Sequence, residues 1–424
     1  MRVSSAVVLS GLLLVASCSS DSTQETAVAE GSAPEALVLE RDASPGADEV
    51  DATSTTNAPQ TTMTIDPSDG DEPEASDDAD AATDGTPTSS ATTAPPVGSG
   101  AAAPGGGGGA SSDLMAIYTG ALGTFGVNDP LWGRPFANPT VASGIGPLTG
   151  LPSGRSGESA IVVKVDNSTR ARPQAGLEQA DVVIEQEVEG GVTRLAAIFQ
   201  SQAPNRIGPV RSARTTDISF LNALGQPGLA YSGANEVVDT LIVRQASVRN
   251  YSAARFGGYW RDNARSAPSN LYTGISQFST QAAAPPAWFH FAAEPVVDGQ
   301  VTSSFVARFP STSVTWTWAG DAWQRSQDGQ QHTAETGAVL EATNVIVAQV
   351  PIGGSGLCDS TGASVPEQVW AGQGPVSVFV NGRRVDGTWV RPTLSDPALL
   401  VSADGLPIEL QPGTTWIELV RALP

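Results

Sequence analysis

The clearest hydrophobic pattern in the chain lies between Asp181 and Phe199. Two β-prone runs, DVVIEQEVE (Asp181 to Glu189) and VTRLAAIF (Val192 to Phe199), flank Gly190-Gly191. Paired glycines between such runs predict a hairpin, because primed two-residue turns need positive φ. A loop of 190–191 sets Glu187 opposite Arg194 and Thr193 opposite Val188. Side chains alternate faces along a strand. The predicted core face therefore carries Val182, Ile184, Val188, Leu195, Ala197 and Phe199, and the polar face carries Glu185, Glu187, Glu189 and Arg194. The polar face reads in two ways. It is a solvated surface with one cross-strand ion pair, worth at most about 1 kcal/mol, or it is the acidic wall of a cleft in which Glu187 holds Arg194.

Other segments follow the same two periods. AIVVKVD (160–166) and GLAYS (228–232) read as strands, and 236–245 reads as a helix bearing Val237 and Leu241. Between them Gly208-Pro209 breaks the chain, Ser212 is a candidate helix N-cap, and Ile218, Leu221 and Leu224 recur at helical spacing. From about Val296 the texture turns to short alternating runs separated by Gly, Pro and Asp: VTSSFVARF, SVTWTWAG, AWQRSQ, TNVIVAQV, VSVFVNG, RRVDGTWVRP and TTWIELV. These predict a mostly antiparallel sheet, sandwich or barrel. Gly353 to Gly362 reads as a Gly-rich loop without the Lys or the strand–helix context of a phosphate loop. The expected fold class is α+β: a mixed α/β N-terminal domain over 113–295, then a mostly antiparallel β C-terminal domain over 296–424.

The first 112 residues follow neither period. Residues 1–18 carry Arg2, a short apolar core from Val7 to Val15, and the lipobox Val15-Ala16-Ser17-Cys18. The apolar run is too short to span a bilayer, so it reads as a lipoprotein signal peptide with Cys18 as the lipidation site. Residues 19–112 are rich in Ala, Ser, Thr, Pro, Gly, Asp and Glu and contain no aromatic residue. Such a segment cannot bury enough apolar surface to fold. It is expected to be a disordered acidic tether with a reach of roughly 50–60 Å. The net charge of −22 belongs mostly to this tether, because Ser19 to Asp113 holds 19 acidic residues and one basic one. The remainder holds 25 acidic and 20 basic residues from Leu114 onward, which leaves the folded part near balance and gives no sign of a nucleic-acid partner.

Candidate chemistry concentrates in the arginines. Arg194, Arg206, Arg211 and Arg214 fall within 21 residues, and the chain has a single lysine, Lys164. Arg211 and Arg214 are predicted at a helix start, where backbone amides favour anions, so two guanidiniums there call for a negative partner. That partner is either a bound phosphate or carboxylate, or Asp217 and the strand glutamates in a structural network. The loop FGGYWRDNARSAPSNLY (256–272) interleaves aromatics with Arg261, Asp262, Arg265 and Asn270, a composition suited to a ligand wall or to a pinned surface loop. The candidate ligand-binding set is thus Arg194, Arg206, Arg211, Arg214, Asp217, Arg261, Asp262, Arg265 and Asn270. Cys358 reads as an incidental thiol, and only two histidines are present. No catalytic constellation is recognisable, and no metal site or cofactor is expected.

The blocks ARPQAGLEQADVVIEQEVEGGVTRLAAIFQS, RIGPVRSARTTD and YWRDNARSAPSNLYT, followed by NGRRVDGTWVRP and IELQPGTTWIELV, resemble the YerB-type bacterial lipoprotein family, over about Pro147 to Leu423. That family is defined by a domain of unknown function. The resemblance implies a two-part protein on the extracytoplasmic side of a membrane, held there by a lipid anchor, and it carries no catalytic residues across. Three functions then stand: a module binding an anionic cell-envelope ligand or a protein partner; a phosphotransferase or hydrolase acting on a phosphorylated or glycan substrate, with Glu187, Asp217 or Asp262 as Mg²⁺ ligands; and a non-catalytic scaffold. A binder or enzyme gathers its arginines into one concave site, whereas a scaffold need not.

Overall fold

The computed structural model describes residues 137–244, 247–295, 298–359 and 362–422. Cys18 and the expected tether lie outside the described residues. The first half contributes β1 (Ile161–Asp166), β2 (Val182–Glu187), β3 (Thr193–Phe199), helix α1 (Thr215–Leu221), β4 (Gly228–Tyr231), helix α2 (Glu236–Arg244), β5 (Arg249–Ser252), β6 (Tyr259–Arg261) and β7 (Leu271–Thr273). The second half is strands among its described residues: β8 (Gln300–Val301), β9 (Ser304–Phe309), β10 (Thr312–Trp318), β11 (Trp323–Gln327), β12 (Gln330–Gln331), β13 (Glu341–Ala342), β14 (Asn344–Val350), β15 (Ile352–Cys358), β16 (Ser364–Gln368), β17 (Gly372–Val380), β18 (Arg383–Arg391), β19 (Leu399–Ser402) and β20 (Thr415–Arg421). The protein is strand-rich, with mostly antiparallel pairings and one large mixed sheet.

That sheet has the order β19-β18-β17-β14-β20-β2-β3-β1-β4-β5. The last strand, β20, runs parallel to β2 on one side and to β14 on the other. One sheet therefore runs across both expected halves. Since β3 is antiparallel to both β1 and β2, β4 and β5 are parallel to β1, and β17 is antiparallel to both β14 and β18, seven strands (β1, β2, β4, β5, β14, β18 and β20) point the same way. Their carboxyl ends form one rim, the place where open sheets of this kind present ligand sites.

Both faces of the sheet are covered, which explains the apolar, β-branched runs at its centre. One face packs Val162, Ile184, Ile198 and Leu229 against Phe220 and Leu221 of α1 and Val238 and Ile242 of α2. The other packs Val163, Val183, Leu195 and Phe199 against Phe309, Trp316 and Trp323 of a second, five-stranded sheet, β12-β11-β10-β9 with β13. Each fully buried aliphatic or Phe side chain contributes roughly 1.5–3 kcal/mol, so this two-sided burial is the main support of the fold.

The hairpin differs from its predicted register. Gln186, not Glu187, lies opposite Arg194, and Glu187 faces Thr193. The loop has three residues because Glu189 joins Gly190 and Gly191, both glycines holding positive φ (73° and 71°). A change of one loop residue slips the pairing by one and changes which side chains share a face. Leu195 and Phe199 are buried as expected. The polar residues are not a solvated surface: Glu185, Glu187 and Arg194 are buried as well. The Gly-rich stretch after Pro351 is another departure, since it forms the antiparallel pair β15–β16. Cys358, at the end of β15, is not a free thiol.

Candidate functional site

Alternation places Lys164 and Asp166 of β1 and Arg194 of β3 on the helix-covered face of the sheet, near the carboxyl rim. The segment 211–217 crosses above them. Asp217 is fully buried and pairs with Lys164 at 2.6 Å, with both side chains 0% exposed. Its other oxygen accepts a hydrogen bond from the Arg214 backbone N–H at 2.8 Å. Arg214 pairs with Glu189 at 2.6 Å. Arg211 pairs with Asp166 at 3.3 Å, and Asp166 also accepts from the hydroxyls of Ser168 and Ser269. The helix begins at Thr215 with Arg214 as its N-cap, later than Ser212. It spans seven residues, and Asp217 meets the Arg214 amide, so the arginines are not explained by a helix terminus.

Arg194 is the exception among these cations. It is 6% exposed, and no carboxylate of the described residues lies within ion-pair distance. One terminal nitrogen donates to the Ser212 carbonyl at 3.4 Å, a long bond, and its Nε has no partner. Burial, together with neighbouring Arg214 and Arg211, pulls its pKa down to about 9 against the opposing pull of Asp166; it stays charged at neutral pH. Burial also brings the Lys164 ammonium down to about 8; Asp217 opposes the shift, and Arg194 and Arg214 add to it.

Arg194, Arg211 and Arg214 line one cleft of about 650 Å³, whose walls also include Glu189, Val192, Asn235, Asp359 and Val365. A second cleft of about 350 Å³ lies next to it, walled by Glu187, Gly190, Gly191, Gly353, Gly354, Ser364 and Arg421. Val188 and Glu189 belong to both walls. The β15–β16 hairpin forms the far side of both. It is fixed through Gln368, which accepts from the Glu187 amide at 2.8 Å, and through Asn235, which donates to the Cys358 carbonyl at 3.0 Å.

The rest of the candidate set lies elsewhere. Arg206 pairs with Asp262 at 2.5 Å and Glu335 at 2.6 Å and stacks over the Tyr272 ring at 3.7 Å. Arg261 donates to Asn270 at 2.6 Å. Arg265 donates to the carbonyls of Ala171 and Pro173 at 2.9 and 2.8 Å. None of these five residues lines the arginine cleft, because the aromatic loop spends its cations on itself and its neighbours. Glu187, Asp217 and Asp262 are engaged by three different cations, Arg421, Lys164 and Arg206. The sequence reading left Lys164, Asp166 and Asn235 out of the site. A usable signal existed for the first: a single lysine in IVVKVD, a strand apolar elsewhere up to its terminal Asp166, must be paired if buried.

Two family models match the chain. One is the protein of unknown function (DUF3048) N-terminal domain over residues 148–287, and the other is its C-terminal domain over 304–417. Together they cover more than half of the sequence. The chain belongs to the DUF3048 family. It is 27% identical over 296 residues to YerB of Bacillus subtilis (strain 168), whose name marks it as a candidate lipoprotein, with 65% of this chain and 86% of YerB aligned. The crystal structure of YerB from Bacillus subtilis has a similar fold, with a TM-score of 0.56 at 26% identity, covering 66% of this chain and 97% of the crystallised chain. Among the described residues of the DUF3048 chain, no helix is long and apolar enough to cross a membrane.

Proposed function

We propose that this DUF3048 protein is an extracytoplasmic lipoprotein, anchored through Cys18, whose folded part binds an anionic cell-envelope ligand in the cleft of Arg194, Arg211 and Arg214. The observation that carries the binding reading is Arg194. A guanidinium more than nine-tenths buried, repelled by two neighbours and with no carboxylate among the described residues at ion-pair distance, is costly to the fold. Such a residue is retained where a ligand supplies the missing charge. Three guanidiniums around one concavity suit the forked recognition of phosphate or carboxylate. Calorimetry of the full chain with pyrophosphate tests this. Binding that weakens with salt and is lost in Arg194→Met is expected. No binding at millimolar pyrophosphate would sink the reading.

The anchor rests on the lipobox and on the candidate-lipoprotein name of the Bacillus relative. Mass spectrometry of the membrane fraction should find Cys18 as an acylated mature N-terminus. A mature N-terminus elsewhere refutes the anchor.

A further inference from the structure

The arginine cleft holds a second group awaiting a partner, and it has the opposite chemistry. The Glu189 side chain is 9% exposed. One oxygen takes the Arg214 guanidinium at 2.6 Å, while Oε1 has no hydrogen-bond partner. A buried carboxylate oxygen left unpaired is costly. Glu189 stands where the two clefts meet. The smaller cleft beyond it is lined by Gly190, Gly191, Gly353, Gly354 and Ser364 with Glu187. Glycine walls leave room close to the backbone and offer its polar groups.

From these we infer that the ligand is a phosphorylated polyol: its phosphate lies among Arg194, Arg211 and Arg214, and a hydroxyl one or two carbons away donates to Glu189 Oε1, with the rest of the polyol in the glycine-lined cleft. The inference rests on the anion reading above and adds the body attached to the anion. The donor is a neutral hydroxyl and not an ammonium for an electrostatic reason. Arg214 already neutralises Glu189, so an ammonium brought to Oε1 would be desolvated without an uncompensated carboxylate to receive it. A hydroxyl carries no such penalty and satisfies the orphan acceptor.

The test compares phosphates of matched size on the full-length protein by calorimetry: inorganic phosphate, ethyl phosphate, O-phosphoethanolamine and glycerol 1-phosphate. Glycerol 1-phosphate is expected to bind about tenfold more tightly than ethyl phosphate, the scale of one hydrogen bond to a charged group. Phosphoethanolamine is expected to gain nothing over ethyl phosphate. In Glu189→Ala the glycerol and ethyl phosphate affinities should converge, and in Glu189→Gln, which keeps an acceptor, part of the gap should remain. A glycerol phosphate oligomer separates the two sources of such a group: tighter binding than the monomer marks a polymer end, equal binding a free metabolite, and either supports the class. Equal affinity for ethyl and glycerol phosphates overturns the polyol while leaving the anion site standing. Preference for phosphoethanolamine also overturns it. If none of the phosphates binds, the anion reading itself fails and takes the polyol with it.

Discussion

The sheet carries a cluster of buried charge on each face, and the two are built differently. On the face toward the small sheet, Glu185 and Arg325 form an ion pair in which both side chains are 0% exposed. Arg325 also donates to Gln327 at 2.9 Å and to His332 Nδ1, and its guanidinium packs 4.9 Å from the Trp416 ring. His332 Nε2 then donates to Gln174 at 2.7 Å, and Asn167 and Thr193 complete Glu185. Glu418 sits beside Glu185 in the parallel ladder. Burial and that neighbouring carboxylate hold its pKa well above the usual range. On the helix-covered face, Lys164, Arg211 and Arg214 are each paired, but Arg194 is not, and the cluster opens into a cleft. The first arrangement is closed and fastens two sheets together. The second leaves Arg194 without a carboxylate of the described residues at ion-pair distance and Glu189 Oε1 without a hydrogen-bond partner, beside a cleft. Arg325 Nε and Glu418 Oε2 also lack hydrogen-bond partners, so what sets the second cluster apart is an arginine with no carboxylate at ion-pair distance beside an open cleft.

Substitutions should separate the two clusters by sign. Arg325→Met strands Glu185 in the core and should cost about 3–5 kcal/mol, read as a lowered urea midpoint with an unchanged m-value. Adding Glu185→Leu should recover much of that loss. Arg194→Met should do the reverse: pyrophosphate binding is lost, while stability holds or rises by on the order of 1 kcal/mol, because a repelled, unpaired cation has been removed. If Arg194→Met destabilises as strongly as Arg325→Met, both clusters are structural.

A smaller effect follows from His332. Burial and the nearby Arg325 guanidinium bring its pKa down to about 2. The unfolded chain takes up this proton near 6.5 and the folded chain does not. The group's contribution is therefore complete above pH 6.5 and is lost progressively as pH falls toward 2. Urea midpoints should drop between pH 7 and pH 5, and His332→Gln should flatten that slope. A slope unchanged in the variant would assign the acid sensitivity to other groups.

Much of the fold was legible. The strands around Ile161–Asp166, Thr193–Phe199 and Asn344–Val350 and the helix at Glu236–Arg244 were visible in their periods, and so was the change of texture near residue 296. The site was half legible. Density of arginine pointed to Arg194, Arg211 and Arg214, which do share a cleft, but the same signal pointed to Arg206, Arg261 and Arg265, which do not. Composition records that a loop holds cations and carboxylates; it does not record whether they satisfy one another locally, as Arg206 and Asp262 do.

The sequence by itself determined most of the strands and helices, where the turn glycines fall and which family the chain joins, because these depend on residues adjacent in the chain. Register, two-sided burial and ion pairing were decided only in three dimensions. A single added loop residue, Glu189, shifted the hairpin pairing, and no periodicity counts loop residues. The partner of Glu187 is Arg421, 234 positions away, and reaches it because the final strand inserts beside β2. Whether Arg194 is paired depends on what the crossing segment 211–217 and the Lys164–Asp217 pair leave over, since a buried charge is settled by everything that surrounds it in space and not by its neighbours along the chain.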